Sequence, residues 1–352
     1  RAMHTSTPLL QLLSKLLHPD VLMRPTSMEE VLADAFFTEH THQLYVTQLV
    51  EGEMGNFGLT REAIQCFIDN RHRLSSHQIR YHSHLGIGHY GEVFKAEAPY
   101  QYVAVKHLLT KSESGTLDSN NEPFVREAVV MAHLKHENVV TFINLVSSEG
   151  ELKLVMELCT ESLASWITRQ FDKQTRLDLN VFDSQAIKFS QDIAKGLQYT
   201  IAAGFVHRDV ASRSVLIVRQ TAKISDFGLA QQMTPTANNT MEYKMTTPDS
   251  ASPRSSLAPE CESNGWVFTE ATDVFAYGKV VGELLITDPS DTKKKLPLIL
   301  HSIYQMCTHK KSQQRPTFTR LVEELFDARP PPPTPTPPPT PTRTSTSTRS
   351  HR

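Results

Sequence analysis

The sequence predicts an α+β fold of two lobes, in which a small lobe of mostly strands with one helix precedes a larger, mostly helical lobe. Residues 79–106 carry short apolar runs separated by glycines, which predicts three strands. Residues 182–203 carry apolar side chains at helical spacing, which predicts a long helix. The chain has 352 residues, of which 39% are hydrophobic, and this composition suffices for one two-lobed globular domain with flanking segments.

Composition and charge argue against several function classes. A formal net charge of −2 gives no electrostatic reason to expect nucleic acid or an anionic membrane as a partner. We find no apolar run long enough to span a bilayer and no signal peptide, so we expect a cytoplasmic protein or the cytoplasmic part of a longer one. The chain begins with Arg1 rather than Met, which favours a fragment. The scattered cysteines predict reduced thiols: Cys66, Cys159, Cys261 and Cys307.

An internal repeat links the two ends of the chain. Residues 1–41 combine leucines at helical spacing with Arg24-Pro25-Thr26 and a second apolar run, and Arg315-Pro316-Thr317 stands in a similar pattern near the other end. Residues 1–41 are therefore interpreted as the end of a preceding domain of the same type. The alternative is an unrelated helical hairpin, since three identical residues carry little specificity. Residues 42–78 are predicted to be a linker with one helix.

The glycines at 86, 88 and 91 form a G-x-G-x-x-G pattern, which is weak evidence by itself. A dinucleotide fingerprint would open a helix, whereas this pattern continues into two strands, the second of which carries Lys106. A glycine-rich hairpin lets backbone N–H groups approach phosphates, and a lysine supplies a point charge for them. The alternative is that Lys106 is a solvated residue of an edge strand.

A helix is predicted over 124–136, because apolar residues that include Phe124 and Met131 lie on one stripe. Glu127 lies one turn before Met131 and so faces the same interior. A buried carboxylate needs a cation, and Lys106 is the candidate. The alternative is that Glu127 is a solvated helix residue.

The segment over 204–260 carries two aspartates in short motifs. His207-Arg208-Asp209 is followed by Asp226-Phe227-Gly228 and later by Leu257-Ala258-Pro259-Glu260. Apolar runs at 215–217 and 222–224 predict a hairpin between the two aspartates, which brings them to one wall of a cleft. Upstream, residues 139–159 predict two further strands.

Together these motifs resemble a protein kinase domain over 79–326, with an N-lobe at 79–156 and a C-lobe at 160–326. The resemblance implies the bilobal protein-kinase fold, ATP and Mg²⁺ as cofactors, and proteins as substrates. The sequence is more similar to tyrosine kinases than to serine/threonine kinases, because Ala211 stands where the latter carry a lysine, and Arg213 follows. By the same resemblance, residues 1–41 are the closing helices of a preceding kinase domain.

The resemblance also implies roles for individual residues. Asp209 is the catalytic base, Lys106 and Glu127 hold the phosphates, and Arg213 completes the catalytic group. Mg²⁺ is expected on Asp226 and Ser214. Met156 occupies the gatekeeper position, and adenine is expected on the backbone near Glu157 and Cys159. The expected ATP-binding residues are Leu85, Gly86, Gly88, Gly91, Val93, Ala104, Lys106, Met156, Glu157, Cys159 and Leu216. Two structural contacts are also expected, Glu260 with Arg315 and Asp273 with the catalytic-loop backbone.

Three departures from the family pattern keep other functions open. Ser214 stands where kinases place an asparagine that binds the second Mg²⁺, and a hydroxyl is a weaker ligand than an amide oxygen. The segment before Leu257 lacks the tryptophan of tyrosine kinases. The stretch between Asp273 and Arg315 is too short for the usual substrate-docking helix. The alternatives are a pseudokinase that acts as a binding or allosteric module, and a kinase with serine/threonine or dual specificity.

Two regulatory features are expected outside the cleft. Tyr243 is the candidate autophosphorylation site, with Arg208 as the partner of its phosphate, and the alternative is an exposed tyrosine with no regulatory role. Residues 329–352 are almost wholly Pro, Thr, Ser and Arg, which predicts a disordered tail. Its Pro-x-x-Pro spacing fits SH3 or WW domains, and the alternative is a solvated spacer.

Overall fold

The structure is a computed structural model of the chain. It describes residues 74, 76–88, 91–99, 101–108, 122–148, 151–172, 178–238, 240–245, 257–263, 265–285 and 298–326. Three predictions lie outside these residues, namely the remnant over 1–41, the helix in the linker and the tail over 329–352.

Five strands form the sheet of the first lobe. Their bounds are Arg80–Gly88 (β1), Gly91–Ala98 (β2), Gln101–Leu108 (β3), Phe142–Ser148 (β4) and Glu151–Glu157 (β5). They pair antiparallel in the order β1-β2-β3-β5-β4. The strands predicted over 79–106 and 139–159 are therefore confirmed.

Alternation along β3 gives the two faces of this sheet different roles. Val103 and Val105 pack with Leu74 and Ile79 in a small apolar cluster on one face. Ala104 belongs to the main core on the other face, and Lys106 follows it at the next alternate position. The strand thus delivers a lysine into the interior of the molecule, where it is only 3% exposed.

The single helix of the first lobe is α1, Glu122–His133. Its buried stripe includes Phe124 and Met131, as predicted. The prediction that it extends to His136 is wrong. His136 lies in the following loop, where its Nδ1 accepts the N–H of Asn138 at 3.1 Å and its carbonyl accepts the N–H of Val139 at 3.1 Å. These local bonds end the helix one turn early.

The second lobe is mostly helical. Its helices are Leu163–Arg169 (α2), Leu179–Ala202 (α3), Pro259–Ser263 (α4), Glu270–Leu285 (α5), Leu298–Cys307 (α6) and Phe318–Arg320 (α7), the last continuing as a π-helix, Leu321–Phe326. The long helix predicted over 182–203 corresponds to α3, which starts earlier because Asp178 caps it by accepting the N–H of Asn180 at 2.9 Å. Ile193 and Leu197 are buried as predicted, and each such side chain contributes about 1.5–3 kcal/mol.

Short strands complete the second lobe. They are Glu161–Ser162 (β6), Phe205–Val206 (β7), Val215–Val218 (β8), Thr221–Ile224 (β9), Gln231–Gln232 (β10), Thr234–Pro235 (β11), Met241–Lys244 (β12) and Val267–Phe268 (β13). The predicted hairpin is confirmed, because β8 and β9 pair antiparallel. Arg219 and Gln220 turn the chain between them with φ angles of 48° and 65°.

The loop after α1 fastens the two lobes together. Val140 N–H donates to the carbonyl of Ile224 at 2.9 Å, and Ile224 N–H donates to the carbonyl of Asn138 at 2.8 Å. A Cβ at Gly196 of α3 would lie 2.5 Å from the carbonyl oxygen of Asn138, so only glycine permits this approach. The loop is thus held by β9 and α3 at once.

An ion pair forms a second link between the lobes. Glu157, at the end of β5, accepts Lys223 Nζ of β9 at 2.7 Å and the N–H of Thr141 at 2.6 Å. The connection between the lobes is therefore fixed by side chains from three segments.

Within the described residues, no helix is both long and apolar enough to cross a bilayer.

Candidate active site

A buried cluster of three charges lies at the junction of β3 and α1. Lys106 Nζ lies 2.7 Å from Glu127 Oε2 and 3.3 Å from Asp226 Oδ1. The side chains of Lys106 and Glu127 are 4% and 2% exposed, whereas that of Asp226 is 21% exposed. The predicted contact between Lys106 and Glu127 is confirmed. The third member of the cluster is the one that reaches solvent.

Lys106 is paired with two carboxylates, whose attraction offsets the cost of its burial. Burial alone lowers the pKa of Lys106, but Glu127 and Asp226 outweigh it, and the net pKa is raised well above its ordinary value. Lys106 is therefore a permanent cation. Burial raises the pKa of Glu127 above its ordinary value, while Lys106 lowers this pKa and Asp226 raises it.

A second pair of opposite charges lies on the second lobe. Arg213 donates to Asp209 Oδ1, and their side chains are 49% and 5% exposed. Burial raises the pKa of Asp209, while Arg213 and then His207 lower it. A carboxylate with a raised pKa is a stronger proton acceptor, which suits the base expected at Asp209.

The backbone of the loop that carries Asp209 is held by Asp273 of α5. Its two carboxylate oxygens accept the N–H of His207 at 2.7 Å and the N–H of Arg208 at 3.0 Å. This predicted contact is confirmed. Arg208 has a φ angle of 69°, and a left-handed backbone at a bulky residue persists only where its surroundings hold it.

His207 joins the two aspartate segments. Its Nδ1 accepts the N–H of Asp209 at 3.2 Å, and its Nε2 donates to the carbonyl of Ser225 at 3.0 Å. Its ring lies 4.8 Å from the ring of Phe227. Phe227 is fully buried in the main core, which also contains Met131 of α1. Asp226 has a left-handed φ of 63° and is thereby turned away from this core.

The apolar residues expected to bind ATP differ in how deeply they are buried. Ala104 and Met156 are buried, whereas Val93 and Leu216 are half-buried beside the main core. Leu85 is 50% exposed. These residues come from β1, β2, β3 and β5 of the first lobe and from β8 of the second lobe. Apolar surface of this type suits a nucleobase.

The glycines of the loop differ in their surroundings. A Cβ at Gly86 would meet no atom of the described residues within 4 Å, so none of these residues requires glycine there. Open space beside the backbone agrees with a position that is kept clear for a ligand. Gly91 is buried at the start of β2, and Gly88 ends β1.

The segment between the lobes offers backbone groups for adenine. The N–H of Glu157 donates to the carbonyl of Thr141 at 3.0 Å and is occupied. The carbonyl of Glu157 and the backbone of Cys159 are the remaining groups of the expected adenine site. Burial and then the charge of Glu157 raise the pKa of the Cys159 thiol to about 12, so it is a thiol rather than a thiolate.

Ser214 lies at the end of a turn, Ser212–Ser214, directly before β8 and is 2% exposed. Its hydroxyl contacts backbone atoms of the loop that carries Asp209. The structure thus brings Ser214 close to both aspartate segments.

Arg208 lies against two aromatic rings and a thioether. Its guanidinium is 4.6 Å from the centre of the Phe268 ring and 5.3 Å from that of Tyr243, and it donates to Met245 Sδ at 3.0 Å. Tyr243 lies on β12, which pairs with β13. The structure places Tyr243 beside Arg208, as the phosphate hypothesis requires. The aromatic and thioether contacts were not foreseen, because they depend on the pairing of β12 with β13.

The contact expected between Glu260 and Arg315 is confirmed. Arg315 donates from its two terminal nitrogens to the two oxygens of Glu260, at 2.6 Å and 2.8 Å. Such a bidentate pair fixes the geometry of both side chains. It anchors α4, at the end of the 226–260 segment, to the loop before α7.

Comparisons with known proteins agree with this geometry. The model of the protein tyrosine and serine/threonine kinase family matches residues 79–297. The chain therefore belongs to this family, and its two lobes are those of the bilobal α+β kinase fold.

Several similar proteins are tyrosine kinases. The chain is 28% identical over 263 residues to the megakaryocyte-associated tyrosine-protein kinase of Rattus norvegicus, which covers 68% of this chain and 51% of the rat protein. It is 30% identical over 264 residues to the epidermal growth factor receptor of Drosophila melanogaster, covering 67% of this chain and 17% of the receptor. It is 31% identical over 234 residues to the tyrosine-protein kinase Shark of Drosophila melanogaster, and the match covers 60% of this chain and 24% of Shark. The chain thus spans about half the length of the rat relative and less of the other two.

Proposed function

We propose that this kinase domain transfers the γ-phosphoryl group of ATP to a hydroxyl group of a protein, with tyrosine as the acceptor. The observation that carries the proposal is the assembly of Lys106, Glu127, Asp226 and Asp209 in one cleft. A chain that served only as a scaffold would have no need to bury the lysine with two carboxylates, since such groups are costly to desolvate.

The donor set fits a magnesium nucleotide. Asp226 offers a carboxylate at the solvent side of the charged cluster, and carboxylate oxygens are the ligands that Mg²⁺ prefers. Lys106 offers a permanent positive charge for the phosphates. When bound, the metal neutralises charge on the phosphates during transfer.

The protein contributes positioning and one proton acceptor. Asp209 orients the acceptor hydroxyl and takes its proton as the oxygen forms its bond to phosphorus and the bond to the leaving oxygen of ADP breaks. Arg213 lowers the pKa of Asp209 against the rise that burial causes, and it fixes the direction of the carboxylate. Asp273 and His207 hold the loop in place.

Two observations favour tyrosine as the acceptor. Arg213, four residues after Asp209, and Ala211 match the pattern of tyrosine kinases. Of the three similar proteins reported above, two bear the name of a tyrosine-protein kinase and one that of a growth factor receptor. A serine or threonine acceptor is the competing specificity, because the matching family includes both branches.

A pseudokinase is the second candidate function, and Ser214 is the observation that favours it. In that case the cleft would bind nucleotide with little turnover, and the domain would act as an allosteric or binding module. Outside the domain, we propose that the Pro-x-x-Pro tail over 329–352 binds SH3 or WW domains and that the protein acts in the cytoplasm.

Phosphotransfer by the full chain from Mg·ATP to a pool of tyrosine, serine and threonine peptides tests the proposal. Incorporation that disappears with Asp209→Asn would support an enzyme, and the labelled amino acid would identify the acceptor. The absence of incorporation, with nucleotide binding retained, would replace the enzyme by the pseudokinase.

A further inference from the structure

We propose that Ser214 is a positioning residue that sets the distance between the two catalytic aspartates, and that the site binds a single divalent cation through Asp226. This inference rests on the proposed nucleotide site. It replaces the metal-ligand role that the sequence suggested for Ser214, because the contacts of the side chain point elsewhere.

The hydroxyl of Ser214 is surrounded by backbone atoms. Its Oγ lies 2.7 Å from the carbonyl oxygen of Asp209 and 2.9 Å from that of Ala211. It also accepts the N–H of Ala211 at 3.0 Å. The hydroxyl has one proton, so it donates to one of the two carbonyl oxygens at a time and accepts the N–H of Ala211 with a lone pair. The second carbonyl oxygen lies in the remaining direction, so a cation could reach the hydroxyl only by displacing a backbone group.

The short side chain of Ser214 and its burial also argue against a role as a metal ligand. A serine oxygen stands one bond closer to the backbone than the amide oxygen of an asparagine, and Mg²⁺ requires ligands at about 2.0–2.1 Å in near-octahedral geometry. Ser214 is 2% exposed, so its hydroxyl lies beneath the cleft surface, whereas the carboxylate of Asp226 reaches solvent. A second cation that needs an oxygen at position 214 does not fit this site.

The backbone of Ser214 connects to the other aspartate. Its carbonyl accepts the N–H of Ser225 at 2.9 Å and the hydroxyl of Ser225 at 3.0 Å. Ser225 directly precedes Asp226. A chain of hydrogen bonds therefore runs from the carbonyl of Asp209 through Ser214 to Ser225, the residue beside Asp226.

This chain explains why a polar residue is retained at position 214. Hydrogen bonds in a buried setting are costly to leave unmade. If the hydroxyl were removed, the N–H of Ala211 would lose its acceptor, and the carbonyls of Asp209 and Ala211 would lose the one proton that they share. The loop would then relax, and the separation of Asp209 and Asp226 would change. Catalysis by positioning is sensitive to small displacements of this kind.

Binding of Mn²⁺ to the full chain, followed by electron paramagnetic resonance with adenylyl imidodiphosphate present, tests the inference without turnover. We expect one Mn²⁺ per chain for the native protein and two for Ser214→Asn. For Ser214→Ala we expect one Mn²⁺, bound about fivefold more weakly, with unchanged affinity for the metal-free nucleotide. Two Mn²⁺ in the native protein that fall to one in Ser214→Ala would overturn the inference.

Two variants separate positioning from general loss of structure. Ser214→Thr keeps the hydroxyl and is expected to restore the Mn²⁺ affinity. Ser212→Ala removes a buried serine two residues away and is expected to leave that affinity unchanged. An unaltered Mn²⁺ affinity in Ser214→Ala would also contradict the positioning role.

Turnover supplies a further readout. If the chain is active, Ser214→Ala is expected to lower kcat about tenfold with little change in the KM for ATP, equivalent to 1.36 kcal/mol on the transition state. If the native chain shows no turnover, the enzyme proposal fails while the metal count and affinities still decide the role of Ser214.

Discussion

Two pairs of opposite charges, one in each lobe, differ in exposure. The side chains of Lys106 and Glu127 are 4% and 2% exposed, and their charged atoms lie 2.7 Å apart. Arg213 is 49% exposed, whereas its partner Asp209 is 5% exposed. The first pair is enclosed on both sides, and the second is enclosed only on the side of the carboxylate.

The difference indicates different tasks. Two enclosed charges depend wholly on each other, and removal of one partner costs about 3–5 kcal/mol. The charge of an exposed guanidinium is screened by water, so the Arg213 pair contributes less to the stability of the fold than the buried pair. Its main effect is on the pKa of Asp209. The N-lobe pair is therefore a fixed electrostatic element, whereas in the proposed function the C-lobe pair tunes the pKa of Asp209.

The largest effect is expected from Lys106→Met. It leaves Glu127 and Asp226 without their shared cation and removes the charge for the phosphates. We expect kcat/KM for ATP to fall by about three orders of magnitude, which corresponds to about 4 kcal/mol of lost transition-state stabilisation. Steady-state kinetics would measure it, with the exposed Lys310→Met as a control of equal charge change. Retention of more than a tenth of the activity would contradict the fixed role of this pair.

The next effect concerns pH and Arg213. Burial raises the pKa of Asp209 and Arg213 opposes that rise, so Arg213→Ala should raise this pKa further. Because the base must be deprotonated, activity is lost as pH falls through the pKa of Asp209. The acidic limb of the plot of kcat/KM against pH should therefore move to higher pH by about one unit. This is the low end of the pKa shift that a neighbouring arginine causes in an aspartate. A limb that stays in place or moves to lower pH would contradict this assignment.

A smaller effect is expected at a third cation, Arg208, whose guanidinium lies against the rings of Phe268 and Tyr243. Tyr243→Phe keeps the ring and should leave the basal activity unchanged, whereas Tyr243→Ala should lower it about fivefold, as expected for about 1 kcal/mol of cation–π contact. Preincubation with ATP should activate the native chain but not Tyr243→Phe. Equal activation of both would remove Tyr243 as the phosphorylation site.

The smallest effect concerns the turn between the strands that separate the two aspartates. Gln220 has a φ of 65°, which costs about 1–2 kcal/mol for a residue with a side chain and nothing for glycine. Gln220→Gly should raise the free energy of unfolding in urea by about 1 kcal/mol with unchanged activity. Thr221→Gly, inside β9, should lower it, and the opposite order would refute the explanation.

The sequence was sufficient for contacts that depend on motifs. Lys106 with Glu127, Asp273 with the catalytic loop, and Glu260 with Arg315 were all foreseen, because each residue lies in a short pattern of fixed spacing. The end of α1 was misplaced by three residues, since the bonds of His136 to the following loop are invisible to periodicity.

The unforeseen contacts involve segments that are distant in the chain. The ion pair of Glu157 with Lys223 joins residues 66 positions apart, and no local pattern marks either residue. The surroundings of the Ser214 hydroxyl depend on the conformation of three neighbouring carbonyl and N–H groups. Such details follow from the backbone path, which composition and periodicity do not specify.

The loop that follows α1 has a mechanical consequence for the helix. Hydrogen bonds to Ile224 and the close approach of Asn138 to Gly196 fasten the C-terminal end of α1 to the second lobe. If the helix moves relative to the second lobe, this anchor makes a rotation about its C-terminal end the expected motion. Glu127 lies away from the anchor, so a swing would separate it from Lys106 while the anchored end stays in place. The distance between these two side chains therefore measures the angle of the helix.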